Sequence, residues 1–198
     1  MTSHGIKQRG QQGFTLIELL VTIAIAAVLL MVAIPSFEAF RRNAQLTSAS
    51  NSLMAGLNAA RSEAMKKGTN AMLAPLTAGG SWNGGWIVFS FGAGNTSQAF
   101  DAATDSVVLR QEALPSYFAV TGTSPANGTS PYVMFDASGY PKLKAGGFGA
   151  TTINLTRTDL SGTEQLAQTR RIKVAATGRV RACKPVSATD DNCSSDND

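Results

Sequence analysis

The chain has 198 residues, 43% of them apolar and 15% charged, with a formal net charge of +4. That length supports one domain with a real core and at most a small second one, and the composition excludes a disordered, charge-rich tail protein. The single histidine, His4, and two cysteines, Cys183 and Cys193, leave no histidine-based nucleophile or zinc site away from the N-terminus. An enzyme is not expected, nor a cofactor or a metal.

Residues 1–13 are short, polar and basic, with Lys7 and Arg9 and no acid. A dense apolar run follows from Phe14 to Phe37. As a helix it would span ~36 Å, enough for a bilayer core of ~30 Å. Lys7 and Arg9 keep the N-terminus cytoplasmic and send the remainder outward. A secretory signal peptide would have a shorter apolar region and a clean Ala-x-Ala site, which this run lacks. A plain membrane anchor satisfies hydropathy equally well.

Glu18 separates these readings. A carboxylate inside a membrane helix costs roughly 2.5–3.5 kcal/mol on insertion scales, so it calls for a partner. Cleavage after Gly13 would make Phe14 the N-terminus, and its amine could neutralise Glu18 of its own or a neighbouring subunit. Gly13-Phe14-Thr15-Leu16-Ile17-Glu18, with the apolar helix and Pro35 behind it, resembles the class III signal of type IV pilins and pseudopilins. The resemblance implies that prepilin peptidase cuts between Gly13 and Phe14 and methylates the new amine. It also implies that Glu18 sets subunit register as the chain joins other pilins in a filament rooted in the inner membrane.

Beyond the apolar run, Phe37, Phe40, Ala44, Leu46, Ala49, Leu53, Leu57, Ala60 and Ala64 recur mostly at steps of three and four, one face of an amphipathic helix. Lys66 and Lys67 suit the negative helix end, Gly68 a C-cap. Pro35 is expected to bend the helix near the membrane exit. The organisation expected is a leader (1–13), a membrane and assembly helix (14–37), its amphipathic continuation (38–68), a β-rich head (69–185) and an acidic tail (186–198).

Short β-type runs separated by Gly, Ser, Asn and Pro follow: Ala71–Leu76, Trp86–Phe91, Val107–Glu112, Tyr117–Thr121, Tyr132–Asp136, Thr151–Thr156, Arg170–Ala175 and Arg179–Cys183. They predict an antiparallel sandwich or twisted sheet. The fold class is therefore α+β: a long N-terminal helix packed on a small antiparallel head, as in type IV pilins. Residues 92–106 and 122–131 read as surface loops, and Trp82 and Trp86 as core or rim. Gly85-Trp86-Ile87-Val88-Phe89, Val133-Met134-Phe135-Asp136 with Gly139, and Ile172-Lys173-Val174 before Gly178-Arg179-Val180-Arg181 resemble the GspH/FimT branch of the pseudopilins.

Arg170, Arg171, Lys173, Arg179, Arg181 and Lys184 place six basic residues in fifteen positions without an acid. A hairpin turning at Ala176-Thr177-Gly178 would bury Ile172, Val174, Val180 and Ala182 and expose Arg171, Lys173, Arg179 and Arg181. In the simplest register Val174 faces Val180 and Lys173 faces Arg181. Like charges directly opposite repel mildly, and an anion would relieve them. A merely solvated basic face fits the spacing too. Gly178-Arg179-Val180-Arg181 resembles the Gly-Arg-x-Arg element of FimT-type minor pilins, which implies contact with double-stranded DNA during natural transformation. Arg179 and Arg181 are the leading contacts, supported by Lys184, Arg171, Lys173 and Arg170. No aromatic residue interleaves the cluster, so backbone binding without sequence preference is expected.

In a chain outside the cytoplasm Cys183 and Cys193 are expected to pair, with ~3 kcal/mol of loop-closure stabilisation, the alternative being two buried free thiols. Asp190, Asp191, Asp196 and Asp198 form either a solubilising tail or a weak internal competitor for the arginines. The alternative function is a structural, GspH-like pseudopilin that primes or tips a type IV pilus or type II secretion pseudopilus without touching DNA. No spacing of acids points to a hydrolase. Cleavage after Gly13 would also remove Lys7, Arg9 and His4, leaving a mature charge of +2.

Overall fold

A computed structural model describes residues 13–93, 95, 99–187 and 190–194. Lys7, Arg9, His4 and most of the leader lie outside the described residues, as do Asp196 and Asp198. The chain forms two compact units, Met1–Arg42 and Asn43–Asp198. Helix α1, Leu16–Lys67, contributes to both.

The described residues of the first unit are largely helical, and their large apolar side chains are exposed. By length and composition α1 can cross a membrane. Its start is a reciprocal capping box. The Glu18 carboxylate accepts from the backbone N–H of Thr15 at 2.8 Å and from its hydroxyl at 2.8 Å, while the Glu18 N–H donates to Thr15 Oγ1 at 3.2 Å. Pro35 lies within the helix. Phe37 and Phe40, expected on the core stripe, are 65% and 70% exposed, and Ala44 is exposed as well. They extend the bare apolar surface of the preceding segment, and the buried stripe begins only at Leu46.

In the second unit α1 buries Leu46, Ala49, Leu53, Leu57, Ala60 and Ala64, with Ser50 and Gly56 on the same face. A Cβ on Gly56 would stand 2.8 Å from Leu73 Cδ1, so glycine there lets the helix press onto the sheet. Gly68 ends the helix with φ of 66°.

Among the described residues nine strands follow: β1 Ala71–Pro75, β2 Trp86–Ser90, β3 Ser106–Gln111, β4 Phe118–Gly122, β5 Val133–Phe135, β6 Pro141–Lys142, β7 Thr151–Arg157, β8 Thr169–Val174 and β9 Val180–Cys183. A short helix α2, Gly162–Ala167, precedes β8. Every named pairing is antiparallel. One sheet runs β3-β2-β1-β5-β6 and the other β4-β7-β8-β9.

The main core joins α1 to one face of each sheet through Trp86, Val88, Phe118, Phe135, Leu155 and Ile172. Each such large side chain contributes about 1.5–3 kcal/mol on burial. Met72, Ile87, Phe89 and Met134 form a second apolar cluster on the opposite face of the five-stranded sheet. Trp82 is buried and donates to the Ala126 carbonyl at 2.9 Å. The loop after β2 is organised by Asp105, whose carboxylate accepts from the N–H groups of Gly92 and Asp101 and from Asn95.

Candidate functional site: a basic hairpin beneath a disulfide-tied tail

Strands β8 and β9 pair in the expected register, with Val174 opposite Val180, Lys173 opposite Arg181 and Arg171 opposite Cys183. The turn closes through the Gly178 N–H to Ala175 O at 2.8 Å and the Ala175 N–H to Arg179 O at 3.0 Å. Gly178 has φ of 81°, and a Cβ there would stand 2.2 Å from Gly139 O. No other residue fits that approach without moving one turn away from the other. Arg61 of α1 donates from Nε to the same Gly139 carbonyl at 3.0 Å. Helix, hairpin and the turn before β6 therefore meet at one point.

Ile172 and Val174 are buried as expected. Val180 is only half-buried and Ala182 is exposed, because β9 is the edge strand of its sheet. Arg170 shares the parity of Ile172 and Val174. It is half-buried, donates to the carbonyls of Ala167 and Thr169, and reaches Asn43 Oδ1 at 3.5 Å. Burial lowers its pKa below the ordinary arginine value.

The largest departure concerns the opposite face. Lys173, expected in solvent, is 1% exposed. Cys183 and Cys193 are disulfide-bonded, with Cα atoms 5.9 Å apart, and the bond lays residues 190–194 across the basic row. Arg171 donates to the carbonyl of Cys193, Arg181 to that of Asn192 at 2.9 Å, and Lys173 to Ser194 Oγ at 3.1 Å. The tail thus supplies acceptors to three of the six cations.

Asp190 shapes that tail. Its carboxylate accepts from the N–H groups of Val186, Asn192 and Cys193. The Val186 bond foremost, helped by those of Asn192 and Cys193 and by the charge of Arg171, holds the Asp190 carboxyl below the usual aspartate range against the opposing effect of desolvation. Asp190 therefore acts as an N-cap for the 3-10 turn Asp191–Cys193, a signal visible in Asp190-Asp191-Asn192-Cys193.

Arg179 and Lys184 remain exposed, and neither side chain has a hydrogen bond or ion pair among the described residues. A groove of about 930 Å³ runs beside Lys184, bordered by α2, Thr156, Thr169 and Arg171. Among the described residues no group of histidines, cysteines and acids could hold a metal ion.

The family model described as Type II transport protein GspH matches residues 49–178, more than half of the chain. The chain belongs to the GspH family. The prokaryotic N-terminal methylation motif matches residues 8–34 of this GspH-family chain. Together they make it a minor pilin or pseudopilin, and the motif implies processing by prepilin peptidase and assembly with other pilins.

In fold it is similar to the type IV minor pilin FimU of Pseudomonas aeruginosa in two crystal forms. One matches with 18% identity and TM-score 0.51, over 71% of this chain and 93% of that one. The other matches with 17% identity and TM-score 0.52, over 75% of this chain and 99% of that one. The minor pseudopilin EpsH of the Vibrio cholerae Type 2 Secretion System matches with 12% identity and TM-score 0.44, over 72% and 98% of the two chains. No curated protein sequence matches the chain.

Proposed function

We propose that this GspH-family chain is a minor pilin of a type IV pilus that binds extracellular double-stranded DNA for uptake in natural transformation. It is rooted in the inner membrane with its second unit on the periplasmic side. Cleavage falls between Gly13 and Phe14, and Glu18 sets register with neighbouring subunits. The observation that carries the DNA reading is the outer face of the β8–β9 hairpin. Its charged side chains are all cations, and Arg179 and Lys184 have no partner there.

Exposure and hydrogen bonding support an order among these contacts. Arg179 and Lys184 meet phosphate directly. Arg181, half-buried and donating to the Asn192 carbonyl, joins them from beside the tail. Arg171 and Lys173 add field from beneath the tail, while Arg170 faces Asn43 and plays no direct part.

Anisotropy with a labelled duplex across a salt series tests this. Substituting Arg179→Gln and Arg181→Gln together should weaken binding and flatten the salt slope by about two, since each phosphate contact contributes a slope of about −0.9. Equal retention by wild type and variant would remove the site.

The capture of Arg171, Lys173 and Arg181 by the tail favours a second reading, a structural subunit of a pilus or type II secretion pseudopilus. That reading expects no duplex affinity at any salt concentration, and a deletion that abolishes filaments or secretion.

A further inference from the structure

We propose that Tyr140 and Phe148, with Lys142, form a base-stacking subsite for single-stranded nucleic acid next to Arg179. The inference rests on the DNA reading above, and extends it to a surface with different chemistry.

Tyr140 and Phe148 flank the edge strand β6 and are 43% and 60% exposed. Their rings stand edge to face with centroids 6.1 Å apart. The Lys142 ammonium sits 4.7 Å from the Phe148 centroid, and the Lys144 ammonium 4.8 Å from that of Tyr132. Aromatic rings alternate with lysines along this edge, the interleaving that the hairpin lacks. The neighbouring acid, Asp136, is already committed. Its carboxylate accepts from the N–H groups of Ser138 and Tyr140 and lies 3.7 Å from Lys142.

Continuity with the hairpin comes from the glycine junction. Gly139 precedes Tyr140, Gly178 precedes Arg179, and the two glycines are in close approach with Arg61 beside them. A strand whose phosphate lies on Arg179 can therefore carry its next bases toward Tyr140 and Phe148. Duplex DNA keeps its bases stacked inside and offers these rings nothing, so the exposed edge selects an unpaired strand.

The test uses the full chain in detergent at low salt and two labelled probes, a twelve-residue oligothymidylate and an abasic twelve-mer with the same phosphates. Wild type should prefer the oligothymidylate about tenfold, within the range for one stacked base. Tyr140→Ala with Phe148→Ala should remove that preference and leave abasic binding unchanged. Phe148→Trp should keep the preference, and Phe148→Leu, which retains apolar bulk without a π face, should reduce it. Arg179→Gln should weaken both probes alike.

Equal wild-type binding of the two probes, or an aromatic variant that weakens both equally, overturns the stacking site. If Arg179→Gln still weakens both probes in that case, the phosphate reading stands alone. If the preference persists while Arg179→Gln changes nothing, the stacking site survives and the arginine assignment fails. A patch that serves only as a contact for a neighbouring subunit would show no preference at all.

Discussion

Replacing Cys183 and Cys193 by serine separates two effects of the tail. The bond closes a loop with a sequence separation of 10. In the chain-entropy model a loop of that size stabilises by ~3 kcal/mol. With a urea dependence of about 2 kcal/mol per molar for a domain of this size, the unfolding midpoint should fall by about 1.5 M. A soluble fragment Asn43–Asp198 contains the whole core and suits the measurement. The second effect is electrostatic. Opening the bond takes the Cys193 O, Asn192 O and Ser194 Oγ acceptors away from Arg171, Arg181 and Lys173 and uncovers more of their charge to an external anion. Duplex affinity at low salt should rise, and the salt slope should steepen by up to about two phosphate contacts, those of Arg171 and Lys173, because Arg181 is already counted in the wild type. Tris(2-carboxyethyl)phosphine applied to the wild type should reproduce both changes. An unchanged midpoint would refute the tether, and an unchanged slope would refute the idea that the tail occupies cation sites.

Gly178→Ala forces a Cβ against Gly139 O and leaves a side chain at φ of 81°. It should cost about 2 kcal/mol or more in the same urea assay and weaken DNA binding with no change of charge. Lowering pH should loosen the tail, because Asp190 has a depressed folded pKa. Its contribution is present above the unfolded value of about 3.9 and is lost as pH falls through the folded value. Amide exchange at Asn192 and Cys193, corrected for intrinsic chemistry, should accelerate in that window, and a flat profile would contradict the capping role. Gly13→Leu should leave a heavier, membrane-bound precursor on a denaturing gel. Glu18→Ala should insert and yet fail to enter sheared filaments, and normal incorporation would refute its part in register.

The elements that sequence reading finds are those with local causes. Gly68 ends α1 because it accepts a positive φ, and alternation with turn residues marks eight of the nine strands. Even the register of Val174 with Val180 follows from the turn. The six-residue α2 and two-residue β6 are too short to carry a period. Phe37 and Phe40 continue the helical spacing, but burial depends on a partner surface, and the spacing does not say where the core begins. Lys173 is the sharpest case. Strand parity correctly assigns it to the outer face, and only the disulfide at the next strand's end shows that this face is covered. The meeting of Gly139, Gly178 and Arg61 joins residues 78 apart or more from the helix, which no local pattern encodes.

The Thr15–Glu18 box carries a consequence for a subunit before assembly. Two donors from its own chain already reach Oε2 of the carboxylate, so in an unassembled copy the acid is partly partnered before any neighbour arrives. If Glu18 sets register as proposed, a neighbour's amine would have to compete with Thr15 for it. Docking becomes an exchange of partners, and its driving force is the difference between the two sets of contacts. Thr15→Val would raise the penalty of waiting and make the idle pool sparser, while leaving the docked contact in place.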